Sequence, residues 1–474
     1  MNSIIWGYFA AYSYLVVVMG VAYFSFRLLK QNEVSRKIIH IATGLGWIIL
    51  KVFIGPNIHS VIITFSFVVL TSLTYIFKVD FVERKNHSLG TIYYTVAMFV
   101  CALVSCSIPN YFDCFGIGII CLALGDGLAG LVGNYFNSNS SKKSIQGSLA
   151  CFFASFFSIV GINVVFAIDL SIFYCVLLAM TATLIEYSTE AYDNLFVPGI
   201  VSIYAYALIY ISADIDVLIG LALGGALCVL CFFLRVLTLN ASILLLFLIN
   251  IVYMFGGVKV FASLILIYSI AIVVDKILPK KRRKIIDGII KDSGSRNLKQ
   301  LSPNCIPASI WIVFWGITTK EVFLVCFFVA ISEAIADSIA SDIGVLSKKD
   351  PVDILTLRRT RPGVSGGITV LGTSASLLLC VYASVVAFSL YTLPVSFLII
   401  IFVVSFFGVI IDSILGSKIQ VKYRCTVCGV ITEKQNHCGS ETVYYSGVRS
   451  IDNIAVNWIS NCISSIIPVV LLFV

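Results

Sequence analysis

Long apolar segments recur from one end of the chain to the other. Each approaches the roughly 20 residues that an α-helix needs to cross the hydrocarbon core of a bilayer. They lack the alternating pattern of membrane β-barrel strands, and only helices or closed barrels satisfy the backbone within lipid. The pattern predicts an all-α polytopic membrane protein with about sixteen transmembrane helices. The predicted spans are 4–25, 38–54, 60–77, 91–108, 114–133, 147–168, 171–187, 197–212, 217–234, 240–256, 260–275, 303–317, 322–340, 365–388, 395–413 and 454–473.

Composition and charge agree with this prediction. Only 12% of the 474 residues are charged and 59% are hydrophobic, whereas soluble domains have about 25% charged residues. Lys and Arg in short loops stay on the cytoplasmic side. With the N-terminus outside, every Lys and Arg except Lys51, Lys259 and Lys320 falls in an inside loop. We therefore expect both termini outside and the polar loops in the cytoplasm.

We attribute the net charge of +8 to the Lys and Arg residues that hold these loops on the cytoplasmic side. The basic run 280–284 is typical of a topology signal or an anchor to anionic lipid, and we expect no nucleic-acid partner. The first apolar segment is long enough to span and has no basic region before it, so no cleavable signal is expected. Nothing in the sequence indicates an oligomeric state.

Most of the fifteen cysteines lie inside apolar spans, where a thiol behaves as a small hydrophobe. Cys425, Cys428, His437 and Cys438 instead lie in a predicted cytoplasmic loop at 423–440. Their spacing predicts a structural Zn²⁺ site. Free thiols in a reducing compartment are the alternative.

The two halves of the chain carry similar polar elements in the same order. Each half has an acid at the inner end of a span, a basic loop before a helix start rich in small residues, a second acid, and an Asp-Asn pair opening its last helix. In the first half these elements are 126–129, 142–148, Glu186 and 193–194. In the second they are 337–340, 358–367, Asp412 and 452–453. We predict two domains, 1–213 and 214–474, as parallel repeats of about eight helices each.

Acidic residues inside spans are costly and usually functional. Carboxylates that bind Mg²⁺, basic side chains that neutralise phosphates and helix N-termini that bind anions together suit phosphoryl transfer. The sequence has no Walker A motif, so the nucleotide site would be of another kind. Alternatively, the acids cap helix ends or pair with the basic loops.

The candidate residues divide by expected role. The predicted catalytic residues are Asp126, Glu186, Asp193, Asn194, Asp337, Asp412, Asp452 and Asn453. The predicted Mg²⁺ ligands are Asp126, Asp337, Asp342 and Asp412. The predicted nucleotide or phosphate contacts are Arg36, Lys37, His40, Lys142, Lys143, Gly147, Ser148, Arg296, Arg359, Arg361, Gly363, Ser365, Gly366 and Gly367.

His40 has three possible roles: contact with phosphate, general base on an alcohol, or a satisfied histidine at a helix end. Further polar segments, 83–91 and 292–297, precede the acidic span of each half.

Five motifs of the first half, covering roughly 1–213, resemble the phytol kinase and dolichol kinase family, which is related to CTP-using cytidylyltransferases. They are RKIIHIATG at 36–44, ERKNHSLGTIYY at 83–94, LGDGLAGLVGNYF at 124–136, KKSIQGS at 142–148 and EYSTEAYDNLFVP at 186–198. The resemblance implies phosphate transfer from CTP or another nucleotide to a prenyl alcohol. Gly130 departs from the family, which often has an acidic residue there.

The remainder resembles the family that includes plant phytyl-phosphate kinase. Its motifs are KDSGSRN at 291–297, EAIADSIASDIG at 333–344, LTLRRTRPGVSGGITVLGT at 355–373, GVIIDSILGSKIQ at 408–420, YRCTVCG at 423–429 and SIDNIAVN at 450–457. This second resemblance implies that a prenyl monophosphate receives another phosphate.

Together the halves predict a bifunctional kinase that converts a phytol, geranylgeraniol, farnesol or polyprenol-class alcohol to its monophosphate and then its diphosphate, with CTP as the expected donor. One alternative is a lipid-phosphate cytidylyltransferase. The other is a prenyl-phosphate transporter or flippase, although transporters more often have inverted repeats with a site at the midplane.

Overall fold

The computed structural model describes residues 2–29, 32–79, 89–136, 143–189, 192–211, 213–277 and 295–473. Several predicted features lie outside these ranges. They are Lys142, the basic run 280–284, residues 83–88 of the first polar segment and residues 292–294 of the second.

The described residues form fifteen α-helices in two compact units, Met1–Ile215 and Asp216–Val474. The helices of the first unit are α1 Asn2–Leu29, α2 Asn32–Phe53, α3 Ile58–Ile76, α4 Gly90–Ser107, α5 Tyr111–Phe136, α6 Ile145–Phe166, α7 Ile172–Thr189 and α8 Asp193–Tyr210. The rest are α9 Asp214–Phe233, α10 Leu239–Ile277, α11 Leu298–Thr318, α12 Glu321–Gly344, α13 Val370–Leu390, α14 Val395–Lys418 and α15 Asn453–Phe473.

Fourteen of these helices are long and apolar enough to cross a membrane, which confirms the all-α polytopic class. Every predicted span overlaps a helix. The predicted spans 240–256 and 260–275 share α10, which is interrupted at Gly257 with φ +66° and ψ −170°. Helix α2 is not among the fourteen, because Glu33, Arg36, Lys37 and Lys51 leave it without a sufficiently long stretch of low charge. The number of spans and their sidedness stay predictions.

Short strands, which the sequence did not predict, occupy two loops of the second unit. Strands β1 Val352–Asp353 and β2 Gly367–Ile368 pair antiparallel between α12 and α13. Between α14 and α15 lie β3 Lys422–Cys425, β4 Ile431–Thr432, β5 Asn436–His437 and β6 Ser440–Ser446. These four form an antiparallel sheet in the order β4-β3-β6-β5.

One buried helix organises each unit. Helix α5 packs against α2, α4, α6 and α8, and α12 packs against α11, α13, α14 and α15. Asp126 lies on α5 and Asp337 on α12. The first acid of each predicted repeat is therefore on the helix with the most neighbours in its unit.

Candidate functional site

Three predicted acids of the first unit converge from three helices. Asp126 of α5, Glu186 of α7 and Asp193 of α8 each offer a carboxylate oxygen within 4.8 Å of the others. We call these residues the carboxylate triad. Carboxylates this close repel one another unless cations lie among them, and oxygen ligands in such a group suit Mg²⁺.

Lys143 supplies one such cation. Its Nζ lies 2.6 Å from Glu186 Oε1 and 3.1 Å from Asp193 Oδ2, and it also donates to the backbone carbonyl of Glu186. Burial by itself would lower the pKa of Lys143, but the charges of Asp193 and Glu186 outweigh burial and hold that pKa above its usual range. The lysine therefore stays charged beside the triad.

Helix α2 supplies Lys37 and His40 to the same place. Lys37 Nζ donates to Asp126 Oδ2 and to the Asp126 backbone carbonyl, both at 2.8 Å. His40 Nε2 lies 3.2 Å from Asp126 Oδ2, yet it makes no hydrogen bond to any residue that the structure describes. The His40 ring stacks on Tyr94, with centroids 4.4 Å apart.

Gly130, the departure from the family pattern, lies beneath the Lys37 side chain. A Cβ at position 130 would come within 2.6 Å of Lys37 Cε and 2.9 Å of its Nζ. Real Cβ atoms do not approach other atoms so closely. The absence of a side chain at Gly130 therefore gives Lys37 its path to Asp126.

The start of α6 packs closely on α5. Ser144 caps α6 by accepting the Gly147 N–H at 3.1 Å. A Cβ on Gly147 would lie 3.0 Å from the Ala129 carbonyl and 3.5 Å from Gly133 Cα. Ser148 Oγ is buried and has no hydrogen-bond partner among the described residues. This helix N-terminus follows directly after Lys143.

A groove in the first unit lies next to this site. Its lining includes the polar side chains of Arg36, His40 and Asn194, several threonines, and the apolar side chains of Leu15, Met19, Phe67 and Leu70. Asn194 donates to the Gly90 carbonyl at 2.9 Å. Its Oδ1 is buried without a partner in the described part of the chain. The groove thus has both apolar and polar lining, and its His40 lies next to Asp126.

Two acids of the second unit accept hydrogen bonds from neutral side chains and are not paired with cations. Asn461 Nδ2 donates to Glu333 Oε2 at 2.6 Å, and Ser460 Oγ donates to Asp412 Oδ2 at 3.1 Å. Asp337 lies close enough to both acids to interact electrostatically. Among the described residues, no Lys, Arg or His lies within ion-pair distance of these three acids.

The two units contain a similar helix start. Thr369 caps α13 by accepting the Gly372 N–H at 3.0 Å. A Cβ on Gly372 would lie 2.6 Å from the Ala340 carbonyl and 3.1 Å from Gly344 Cα. Ala340 and Gly344 follow Asp337 at the spacings by which Ala129 and Gly133 follow Asp126. The counterpart of 144–147 is therefore 369–372, and the predicted match of 142–148 with 358–367 was wrong.

The 363–367 segment forms a separate loop, which we call the Ser365 loop. Gly363 and Gly366 have φ values of +87° and +86°, a region that favours glycine. Ser365 Oγ donates to Glu433 Oε1 at 2.5 Å, and Lys422 Nζ donates to the Ser365 carbonyl at 2.9 Å.

Asp353 joins this loop region to α14. Its Oδ2 accepts from Ser417 Oγ at 2.7 Å, and its other oxygen accepts the backbone N–H of Leu355 and Thr356. Burial opposes ionisation, but these hydrogen bonds prevail and lower the pKa of Asp353.

Sequence reasoning missed Glu333, Asp353, Lys422 and Glu433, since only Glu333 lies in a span and none belongs to a repeated pair.

The other predicted residues of the second unit are more dispersed. Arg359 and Arg361 are exposed on the loop before β2, and Asn453 is exposed at the start of α15. The backbone of Arg296 is hydrogen-bonded to those of Val236 and Thr238.

The remaining predicted acids have structural contacts. Asp452 caps α15 by accepting the Ala455 N–H at 3.0 Å, and Asp342 interacts with Asp337. The described residues thus show a compact triad with cations in the first unit and no equivalent group in the second.

The predicted zinc ligands do converge. Ligand atoms of Cys425, Cys428, His437 and Cys438 all lie within 4.8 Å of one another.

The fold and buried polar groups define a multi-pass integral membrane protein with polar clusters among its helices. Residues 222–465 match the family described as "Integral membrane protein DUF92", and the chain belongs to that family.

Two curated relatives add to this. The chain is 30% identical over 221 residues to "Phytol kinase" of Synechocystis sp., an overlap covering 42% of this chain and 91% of the relative. It is 26% identical over 249 residues to "Protein PGR" of Arabidopsis thaliana, covering 46% of this chain and 83% of the relative. No solved structure matches the chain.

Proposed function

We propose that the protein is a prenyl alcohol kinase whose first unit phosphorylates the alcohol and whose second unit phosphorylates the resulting monophosphate. The observation that carries the proposal is the carboxylate triad with Lys143, next to a largely apolar groove that His40 lines. The similarity to a phytol kinase supports the same class of activity.

In the first unit the groove would hold the prenyl chain, with the alcohol beside His40 and Asn194. The unpaired Oδ1 of Asn194 is an acceptor suited to a hydroxyl group. His40 Nε2 is also without a hydrogen bond to a described residue and faces the Asp126 carboxylate. A histidine so placed can take the alcohol proton as phosphate is transferred.

The triad would hold the Mg²⁺ that accompanies the nucleotide. Asp126, Glu186 and Asp193 supply the hard oxygen ligands that this ion prefers. Lys143 and Lys37 would then neutralise phosphate oxygens, the usual contribution of lysine to phosphoryl transfer. We propose CTP as the donor, on the strength of the sequence motifs of the first half.

The second unit would act on the monophosphate. Its three acids are Glu333, which is buried, and Asp337 and Asp412, which are half-buried. They lack ion-pair partners in the described chain, so a bound divalent cation would compensate their charge. The Ser365 loop, with exposed Arg359 and Arg361 before it, would meet phosphate groups.

The test is incubation of the purified protein with Mg²⁺, labelled nucleotide, and a panel of prenyl alcohols and monophosphates, followed by chromatography of the lipids. Label from the γ-phosphate in both monophosphate and diphosphate is the expected result. Label from the α-phosphate of CTP in lipid would instead show a cytidylyltransferase. Transport of prenyl phosphate into vesicles without nucleotide consumption would favour the transporter alternative.

A further inference from the structure

The loop between α14 and α15 brings together four side chains that the proposed kinase chemistry does not use. Cys425 ends β3, Cys428 lies in the turn after it, and His437 and Cys438 lie where β5 turns into β6. Cys428 Sγ is 3.7 Å from Cys438 Sγ. His437 Nδ1 is 3.4 Å from Cys428 Sγ and 3.2 Å from Cys438 Sγ. We call these four residues the Cys-His cluster.

These distances match a tetrahedral metal site. Zn–S bonds of about 2.3 Å and Zn–N bonds of about 2.0 Å separate two sulfurs by about 3.8 Å, and a sulfur from a nitrogen by about 3.5 Å. A disulfide would need about 2.0 Å between sulfurs, and all three cysteines are free. Three sulfurs and one imidazole form a common ligand set of structural zinc.

The backbone beside the Cys-His cluster also has features that favour metal binding. Cys425 Sγ accepts the N–H groups of Val427 and Cys428 at 3.4 and 3.5 Å, and such contacts favour the thiolate that a metal requires. Cys438 has a φ of +53°, which is uncommon for a residue other than glycine. The β3–β4 turn therefore favours the Cys425 thiolate, and the β5–β6 turn has an uncommon backbone conformation at its ligand Cys438.

The segment 422–446, which we call the Cys-His module, has little hydrophobic core of its own. Two of its four strands have two residues each, and Val427, Val443 and Tyr445 are exposed. Units this small usually depend on a metal or disulfides for stability. Here one ion would join the β3–β4 turn, which holds Cys425 and Cys428, to the β5–β6 turn, which holds His437 and Cys438.

The module reaches the Ser365 loop through two side chains. Glu433, just after β4, accepts from Ser365 Oγ at 2.5 Å and from Gln420 Nε2 at 2.6 Å. Lys422, at the start of β3, donates to the carbonyls of Ser365 and Ser417 at 2.9 and 3.2 Å. Both the side chain and the backbone of Ser365 are thus held by residues whose positions depend on the module.

We propose that the Cys-His cluster binds one structural Zn²⁺, and that this ion keeps the Ser365 loop in place through Glu433 and Lys422. Zinc binding and loop order are independent of the kinase assignment, because neither requires that the chain act on a prenyl lipid. Each can be measured without an activity assay.

The first test measures metal content and hydrogen exchange on the full chain purified in detergent. We expect one zinc per chain, and loss of zinc from the double variant Cys428→Ser/Cys438→Ser. Cys106→Ser is the matched control, since Cys106 is an exposed thiol on α4 of the first unit and is not one of the four ligands. Loss of zinc should remove exchange protection from 422–446 and 363–367, and leave 143–189 unchanged.

A second variant separates the metal from the contact. Glu433→Ala should keep its zinc and lose protection at 363–367 alone. A native chain that contains no zinc after growth with zinc, or that contains iron instead, overturns the zinc assignment. Unchanged protection of the Ser365 loop in zinc-free protein overturns the coupling.

Discussion

Lys37 Nζ lies 2.8 Å from Asp126 Oδ2 although 89 positions separate the two residues. Both side chains are largely buried, at 5% and 16% exposed, and a buried charge needs a partner. The pair therefore fixes where α2 meets α5. It also places His40, one turn after Lys37, on the carboxylate that belongs to the triad. His40, which lines the groove, thus lies against the proposed metal site.

Asp126→Asn should abolish phosphorylation of the alcohol and spare phosphorylation of the monophosphate. Loss of even an outer partner of a metal site costs about 10–100-fold, so loss of a ligand should cost at least about 100-fold. Asp337→Asn should have the reverse effect. Rates with each lipid substrate check both variants, and loss of both activities in either one contradicts two independent sites.

Gly130→Ala should weaken the first activity by displacing Lys37 from Asp126, because the added Cβ would lie 2.6 Å from Lys37 Cε. We expect roughly a tenfold loss of kcat/KM for the alcohol, equivalent to about 1.4 kcal/mol. Gly161→Ala is the matched control, since nothing lies within 4 Å of a Cβ there. Equal activity in the two variants would argue against a role for the Lys37 contact.

Glu186→Gln and Asp193→Asn should each weaken Mn²⁺ binding, measured by electron paramagnetic resonance as a probe of the proposed Mg²⁺ site. We expect at least about a tenfold increase in the Mn²⁺ Kd, because each variant removes a charged oxygen ligand. Asp113→Asn serves as the control. Asp113 pairs with Lys51, and it lies thirteen residues before Asp126 on α5, roughly 20 Å along the helix. A Kd that none of the variants changes would place the metal elsewhere.

Phe67→Ala should change the preference for prenyl chain length, because Phe67 lines the groove. Removing the ring enlarges the groove, so KM for bulkier alcohols should fall relative to short ones while kcat stays near native. Phe65→Ala, two residues earlier on α3, removes an exposed ring and provides the comparison. A parallel shift in both variants would show an effect of α3 as a whole rather than of the groove.

Gly366→Ala should disrupt the Ser365 loop. Its φ is +86°, and an added Cβ would lie 2.5 Å from Ser417 Cα. Such backbone strain costs about 1–3 kcal/mol, and we expect loss of monophosphate phosphorylation with the alcohol activity retained. Gly225→Ala has open space around the new Cβ and should behave as native. A native second activity in Gly366→Ala would exclude the loop from that site.

Sequence patterns determined the helical class, the positions of the helices and several of the polar groups that converge. Hydropathy and metal-ligand spacing are local properties, so Cys425, Cys428, His437 and Cys438 could be chosen as one set from the chain alone. The repeated order of acids likewise identified Asp126, Glu186 and Asp193 as candidates before any distance between them was known.

Only the tertiary structure decided which of these groups meet. Long-range packing brings Lys37 to Asp126 across Gly130, and it brings Glu433 to Ser365 across 68 positions. It also assigns the second helix start to Thr369 and Gly372 rather than to the basic loop before them. Such contacts depend on how closely two helices or loops approach. That approach is set by side-chain size at the point of contact, which no local pattern in the sequence encodes.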